Sequence, residues 1–255
     1  MILFHRIYGE GPPLVILHGL FGQSDNWATL ARAWSNQFRV IIIDQRNHGQ
    51  SLHDAAFSYE LMADDLTETL DALNIESVQL IGHSMGGKTA MFFTQKYPQR
   101  LTKLIVADIA PRAYAPHHSE IIAALKALPL NELKDRNSAD NELAKGIPDF
   151  GTRQFLLKNL YRNDAGTFSW RFNLDAISAQ ISEVGKALPD EQVHLPALFI
   201  RGSKSNYITD EDQSAIAHQF SNATFATIPN AGHWLHAEQP DAFTDTVSAW
   251  VKRFA

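Results

Sequence analysis

The residues Gly82-His83-Ser84-Met85-Gly86 combine a hydroxyl nucleophile with two flanking glycines in a five-residue turn. They follow Ser77-Val78-Gln79-Leu80-Ile81, which reads as a short buried strand, and precede Gly87-Lys88-Thr89-Ala90-Met91-Phe92-Phe93, which reads as a helix. Strand, turn and helix in that order make a nucleophile elbow: the turn holds the Ser84 hydroxyl at the tip of a sheet. Gly82 and Gly86 lack Cβ atoms because strand and helix approach closely there. The N-terminus of the following helix favours developing negative charge. A bare match to this pattern arises by chance as a structural turn; the flanking elements favour chemistry.

Such a nucleophile needs an oxyanion site and a base. The apolar run Leu14-Val15-Ile16-Leu17 predicts a central parallel strand ending at His18-Gly19-Leu20-Phe21-Gly22. The backbone N–H of Leu20, paired with that of Met85, supplies two donors for a tetrahedral oxyanion. The His18 side chain reads as a structural tie between this loop and the neighbouring turn. For the base, Ala223 to Pro229 predicts a strand leading into Asn230-Ala231-Gly232-His233-Trp234, so His233 sits on a loop just past a strand. The order of nucleophile first and histidine last fits this architecture. Of the 11 histidines, His5, His53, His117, His118, His194 and His218 read as solvated, His83 as packed inside the elbow, and His236 as the start of the next helix.

With these motifs the chain resembles the α/β-hydrolase superfamily, and within it the small capped serine esterases, over essentially its whole length. Asp44-Gln45-Arg46-Asn47-His48-Gly49-Gln50-Ser51, after the strand Arg39–Ile43, resembles a family turn whose Arg and Gly build a structural network near the site. The stretches around Gly86-Gly87-Lys88 and Asp108-Ile109-Ala110-Pro111 are similar to the YbfF-like bacterial esterases, which have animal mitochondrial relatives. The resemblance implies a Ser–His–acid triad, and the sequence departs from the usual acid position. After the strand Pro196–Ile200, Ser205 stands where most relatives carry a carboxylate. Asp108 ends the earlier strand Thr102–Ala107, and parallel strand ends converge on one edge, so Asp108 is the expected acid and Ser205 a secondary partner of the His233 ring. Asp210 is an alternative that reads as a helix N-terminal residue.

The expected architecture is an α/β-hydrolase fold: a mostly parallel sheet with helices on both faces. Helices are expected near Trp27–Ser35, Tyr59–Leu73, Met85–Tyr97 and Pro240–Phe254. Residues 1–110 and 189–255 form the expected core. Residues 111–188 form an expected helical cap, helical throughout, with candidates Ser119–Ala127, Asp140–Lys145, Gly151–Tyr161 and Asn173–Val184. Among Phe150, Phe155, Leu156, Leu157, Leu160, Tyr161, Phe168, Trp170 and Phe172, most are expected to pack the cap and the rest to wall a pocket. Phe21 and Trp234, beside the catalytic loops, are pocket candidates. Lys88, one turn past Ser84, is expected to pair with a carboxylate, or else to face an anionic group of a substrate.

Composition agrees. In 255 residues, 45% are hydrophobic and 20% charged, enough for a large core in one domain with an insertion. A net charge of −6 without a basic run argues against a nucleic-acid partner. The absence of Cys excludes disulfides, thiolate metal sites and a cysteine nucleophile. Met1–Tyr8 alternates like a strand rather than a signal peptide, no run spans a bilayer, and the cytoplasm is the expected location. The expected function is hydrolysis of carboxylic esters, extending to thioesters, through an acyl-enzyme on Ser84, without metal or cofactor. The expected partner is a small-molecule substrate with an apolar acyl or aromatic part; oligomeric state is left open. Alternatives are a C–C bond hydrolase of the same fold and a non-catalytic ligand-binding relative.

Overall fold

Continuous apolar runs become the buried strands of a seven-stranded sheet. A computed structural model describes residues 1–115 and 118–254; the reading of His117 as solvated lies outside the described residues. In chain order the elements are β1 His5–Tyr8, β2 Pro13–Leu17, a 3₁₀ turn leading into α1 Ala28–Trp34, β3 Arg39–Ile43, α2 Tyr59–Ala72, β4 Val78–His83, α3 Met85–Lys96 and β5 Leu101–Ala107. Then come α4 Ser119–Ala127, α5 Arg136–Leu143, α6 Phe150–Leu157, β6 Leu160–Arg162, β7 Phe168–Trp170, α7 Leu174–Ala179 and α8 Ile181–Gly185. The chain closes with β8 Ala197–Gly202, α9 Asp210–Gln219, β9 Ala223–Ile228, α10 Leu235–Glu238 and α11 Pro240–Lys252.

The sheet order is β1-β3-β2-β4-β5-β8-β9, with only β1 antiparallel to its neighbour. Alternation along β2 divides the core between the two faces. Val15 and Leu17 join Met62 and Leu66 of α2 and Met91 and Phe93 of α3. Leu14 and Ile16 join Trp27, Trp34 of α1 and Phe243 and Trp250 of α11. All carboxyl ends of the parallel strands meet at one edge, which is where a doubly covered sheet presents its loops to a ligand.

The segment between β5 and β8 is not helical throughout. Leu160–Arg162 and Phe168–Trp170 form a two-stranded antiparallel hairpin. Its turn contains Gly166 at φ 79°, and the Asn163 side chain accepts from Thr167 N–H at 3.1 Å. The helix expected over Gly151–Tyr161 ends at Leu157 with Lys158 as its C-cap, and Leu160 and Trp170, paired directly across the hairpin, still reach the core. Two boundaries also move. Asp135 caps α5 by accepting from Ser138 N–H at 2.8 Å, which starts the helix four residues before Asp140. The helix expected over Asn173–Val184 breaks at Gln180 into α7 and α8.

Candidate active site

Ser84 joins β4 to α3 with φ 52° and ψ −119°, a conformation costly for any residue with a Cβ. Crowding around the turn explains the glycines. A Cβ on Gly82 would lie 2.2 Å from the Gly86 carbonyl oxygen, and one on Gly86 would lie 2.5 Å from the Leu17 carbonyl oxygen. The hydroxyl therefore stands clear of the sheet, at the N-terminus of a twelve-residue helix.

Three strand ends bring a hydrogen-bonded chain together. The Ser84 hydroxyl donates to His233 Nε2 at 3.0 Å, and the His233 Nδ1–H donates to Asp108 Oδ2 at 2.8 Å. The carboxylate, an acceptor only, fixes that tautomer. Asp108 leaves β5 at φ 54° and is fully buried. Its Oδ1 accepts from the Gly202 backbone N–H at 3.2 Å, at the end of β8. Ser205 departs from expectation: its hydroxyl touches the acid and not the ring. It donates to Asp108 Oδ2 at 2.5 Å and accepts from the Tyr207 N–H at 3.2 Å. The loop after β8 brings the Ser205 hydroxyl to the carboxylate, where it satisfies a lone pair.

Tyr207 is the neighbour that sequence reasoning missed. Its ring stacks on the His233 imidazole with centroids 3.9 Å apart and planes 18° from parallel. Its carbonyl accepts from the Tyr114 hydroxyl at 2.5 Å. The available signal was its place two residues beyond Ser205 on a loop leaving the same edge. The opposite side of the His233 loop is held by His83, whose Nε2–H donates to the His233 carbonyl at 2.8 Å.

The Leu20 loop is braced by two neutral imidazoles. His18 Nδ1–H donates to the Gly19 carbonyl at 2.8 Å while Nε2 accepts from Gln45 N–H at 3.0 Å. His48 Nδ1–H donates to the Arg46 carbonyl at 2.8 Å and Nε2 accepts from Phe21 N–H at 3.2 Å. Burial lowers these two rings to about 4 and about 3 respectively, so both remain able to accept near neutrality. Arg46 makes a buried bidentate pair with Asp65 on α2, at 2.7 and 2.9 Å, which anchors the turn after β3. Among the described residues, the N–H groups of Leu20 and Met85 donate to no acceptor of the chain. Two unsatisfied backbone donors therefore flank Ser84.

Two cavities meet at Ser84. The larger, about 220 Å³, is bounded by Phe21, Phe155, Leu156, His233 and Trp234. The smaller, about 20 Å³, is bounded by Tyr59, Met85, Ile109, Ile181 and Val184. Phe21 and Trp234 thus line the cavity, as do Phe155 and Leu156 of α6, whereas Leu160, Phe168, Trp170 and Phe172 are packed in the core. His118, expected to be solvated, is partly buried and borders both cavities.

Among the described residues Lys88 pairs with no carboxylate, and it does not line either cavity. Its ammonium is fully buried and donates to the carbonyls of Arg112, at 2.8 Å, and Lys186. It lies 5.0 Å from the Tyr114 ring centroid and 5.9 Å from that of Tyr59. Arg112 lies on the chain leaving β5 and Lys186 on the chain returning from α8. Those two connectors also bond directly, Tyr114 N–H to the Gly185 carbonyl at 2.8 Å and Leu188 N–H to the Pro111 carbonyl at 2.9 Å. Lys88 is a brace beneath the stalk of the inserted segment. Burial, with Arg112 nearby, lowers its pKa from 10.5 to about 7. Between those values the unfolded chain keeps a proton that the folded chain has released, so folding stability should rise from about pH 7 upward. Urea titrations at pH 7, 8 and 9 should show that rise in the wild type, and Lys88→Met should flatten it. An unchanged slope in the variant would contradict the assignment.

The fold and the histidine-linked serine at its loop edge define an α/β hydrolase: the chain belongs to that family, whose profile, described as alpha/beta hydrolase fold, matches residues 12–240. Among relatives, Esterase YbfF of Escherichia coli is 39% identical over 94% of this chain and 92% of its own length. The mouse sn-1-specific diacylglycerol lipase ABHD11 is likewise 39% identical, over 94% of this chain and 81% of its own. A solved structure titled marine microorganism esterase superposes with a TM-score of 0.95 at 46% identity, covering 98% of this chain and 99% of that one.

Proposed function

We propose that the chain hydrolyses carboxylic esters through an acyl-enzyme formed on Ser84. It is a carboxylic ester hydrolase; its relatives carry esterase and lipase names at similar length. The observation that carries the mechanism is the serine–imidazole–carboxylate chain, with contacts of 3.0 and 2.8 Å, at the wall of an apolar cavity.

In this reading His233 Nε2 takes the Ser84 proton as Oγ bonds to the acyl carbon. The carbonyl electrons move to oxygen, where the Leu20 and Met85 N–H groups hold the charge; one such donor contributes about 3–4 kcal/mol to a transition state. The acyl C–O bond then breaks, and the imidazolium gives its proton to the departing oxygen. Water repeats the sequence and releases the acid. Asp108 holds the ring in its tautomer and balances its transient charge. Residues 1–110 and 189–255 serve as the catalytic core and 111–188 as the cap that covers it. Hydrolysis of p-nitrophenyl acetate, together with a fluorophosphonate adduct located on Ser84 by mass spectrometry, tests the proposal; absence of both would sink it.

The acid is tested separately. Asp108→Asn should lower kcat by about 10²–10⁴-fold, because the amide carries no charge and favours the wrong tautomer. Ser205→Ala should cost about 10-fold or less, since its bond to the carboxylate exists before and during reaction and stabilises both states alike. Steady-state rates of the two variants decide it: a nearly silent Asp108→Asn beside a crippled Ser205→Ala would overturn the choice of acid.

A further inference from the structure

Building on the acyl-enzyme reading, we infer that the two cavities divide the ester: the small one receives a short acyl group and the large one receives the alcohol. The division follows from which atoms must meet. In the tetrahedral intermediate the acyl carbon carries Ser84 Oγ, the oxyanion, the acyl substituent and the departing oxygen. The departing oxygen must lie within reach of His233 Nε2, since that nitrogen returns the proton. His233 and Trp234 border the larger cavity and not the smaller. The acyl substituent, directed away from the imidazole, enters the space beside Met85.

That space is closed by large side chains. Ile109 is buried at the end of β5, Tyr59 stands at the start of α2, and Ile181 and Val184 come down from α8. The wall is fixed from behind. The Tyr59 hydroxyl donates to the Val184 carbonyl at 2.6 Å, and Lys88 holds the returning connector at Lys186. At about 20 Å³ against about 220 Å³, this space is about a tenth of the larger one, so a short acyl group such as acetyl or propionyl suits it better than an octanoyl chain. On the other side, about 220 Å³ walled by Phe21, Phe155, Leu156 and Trp234 admits a bulky apolar alcohol.

A matched pair of esters tests the assignment. Octyl acetate and ethyl octanoate contain the same number of carbons, leave as unactivated alkanols and differ only in which side of the ester is long. Octyl acetate should have a kcat/KM at least about 100-fold higher, the range by which a filled apolar pocket discriminates. The double variant Ile181→Ala/Val184→Ala shortens the wall without touching Ser84, His233, Asp108 or the oxyanion donors. It should narrow that ratio by about 10-fold or more, through a higher kcat/KM for ethyl octanoate. Equal rates for the two esters, preference for ethyl octanoate, or a ratio unmoved in a variant whose melting curve remains cooperative would each overturn the division. Failure of the underlying esterase reading is a different result: no turnover of either ester and no fluorophosphonate adduct on Ser84.

Discussion

A Ser84→Ala variant is expected to keep the fold and lose kcat by about 10⁵–10⁶-fold, the scale on which removal of such a nucleophile acts. The fold should persist because alanine keeps the Cβ and therefore the same strained backbone at φ 52°. The hydroxyl makes one contact of consequence, its 3.0 Å bond to His233. The loss should be that large because every later step needs the covalent bond to Oγ. Fluorophosphonate labelling should occur in the wild type and vanish in the variant, with superimposable circular dichroism. Labelling that persists at another serine would refute the assignment.

His233→Ala should lower kcat by about 10⁴-fold or more, since Ser84 then has no acceptor for its proton. Two other histidines provide the control. His236 is buried against Trp27, with ring planes 5° from parallel and centroids 4.1 Å apart. Burial lowers its pKa to about 3, so near neutrality its imidazole resists taking up a proton. His236→Ala should lower the melting temperature and leave kcat within about 10-fold, because its role is packing. Measuring both quantities for both variants separates the roles; a larger kcat loss at His236 would reassign the base.

What could be read from the sequence was what short segments encode. The strand–turn–helix around Ser84 is a local pattern, and Gly82 and Gly86 mark it because backbone atoms crowd there. His233 was legible as a loop residue after a strand, and Asp108 as the last word of an apolar run whose neighbours end at the same edge. What was not legible depends on which distant groups meet. Ser205 could be assigned to the loop after β8, but whether its hydroxyl reached a ring or a carboxylate was decided by how far that loop travels. Lys88 was misread as a partner for a carboxylate or an anionic substrate group, because its acceptors are backbone carbonyls on two connectors that converge only after folding. The hairpin Leu160–Trp170 was hidden because three-residue strands are too short to show a period distinct from that of a helix.

The insertion between β5 and β8 also bears on how the molecule reaches its native state. Leu104 to Ala107 pair with Ala197 to Ile200 across residues 108–196, although the two strands are nearest neighbours. Loop-closure entropy grows by only about 0.6 kcal/mol per doubling of length, so the equilibrium cost of so long an excursion is modest. Kinetics is more sensitive, because pairing over such separation raises contact order. β8 also carries β9, and with it the loop of His233, into the sheet. Until that pairing occurs, His233 is out of register with Ser84 and Asp108, which the β4–β5 pairing already holds side by side. Regained esterase activity therefore reports closure of the sheet, an event to which helical content is blind.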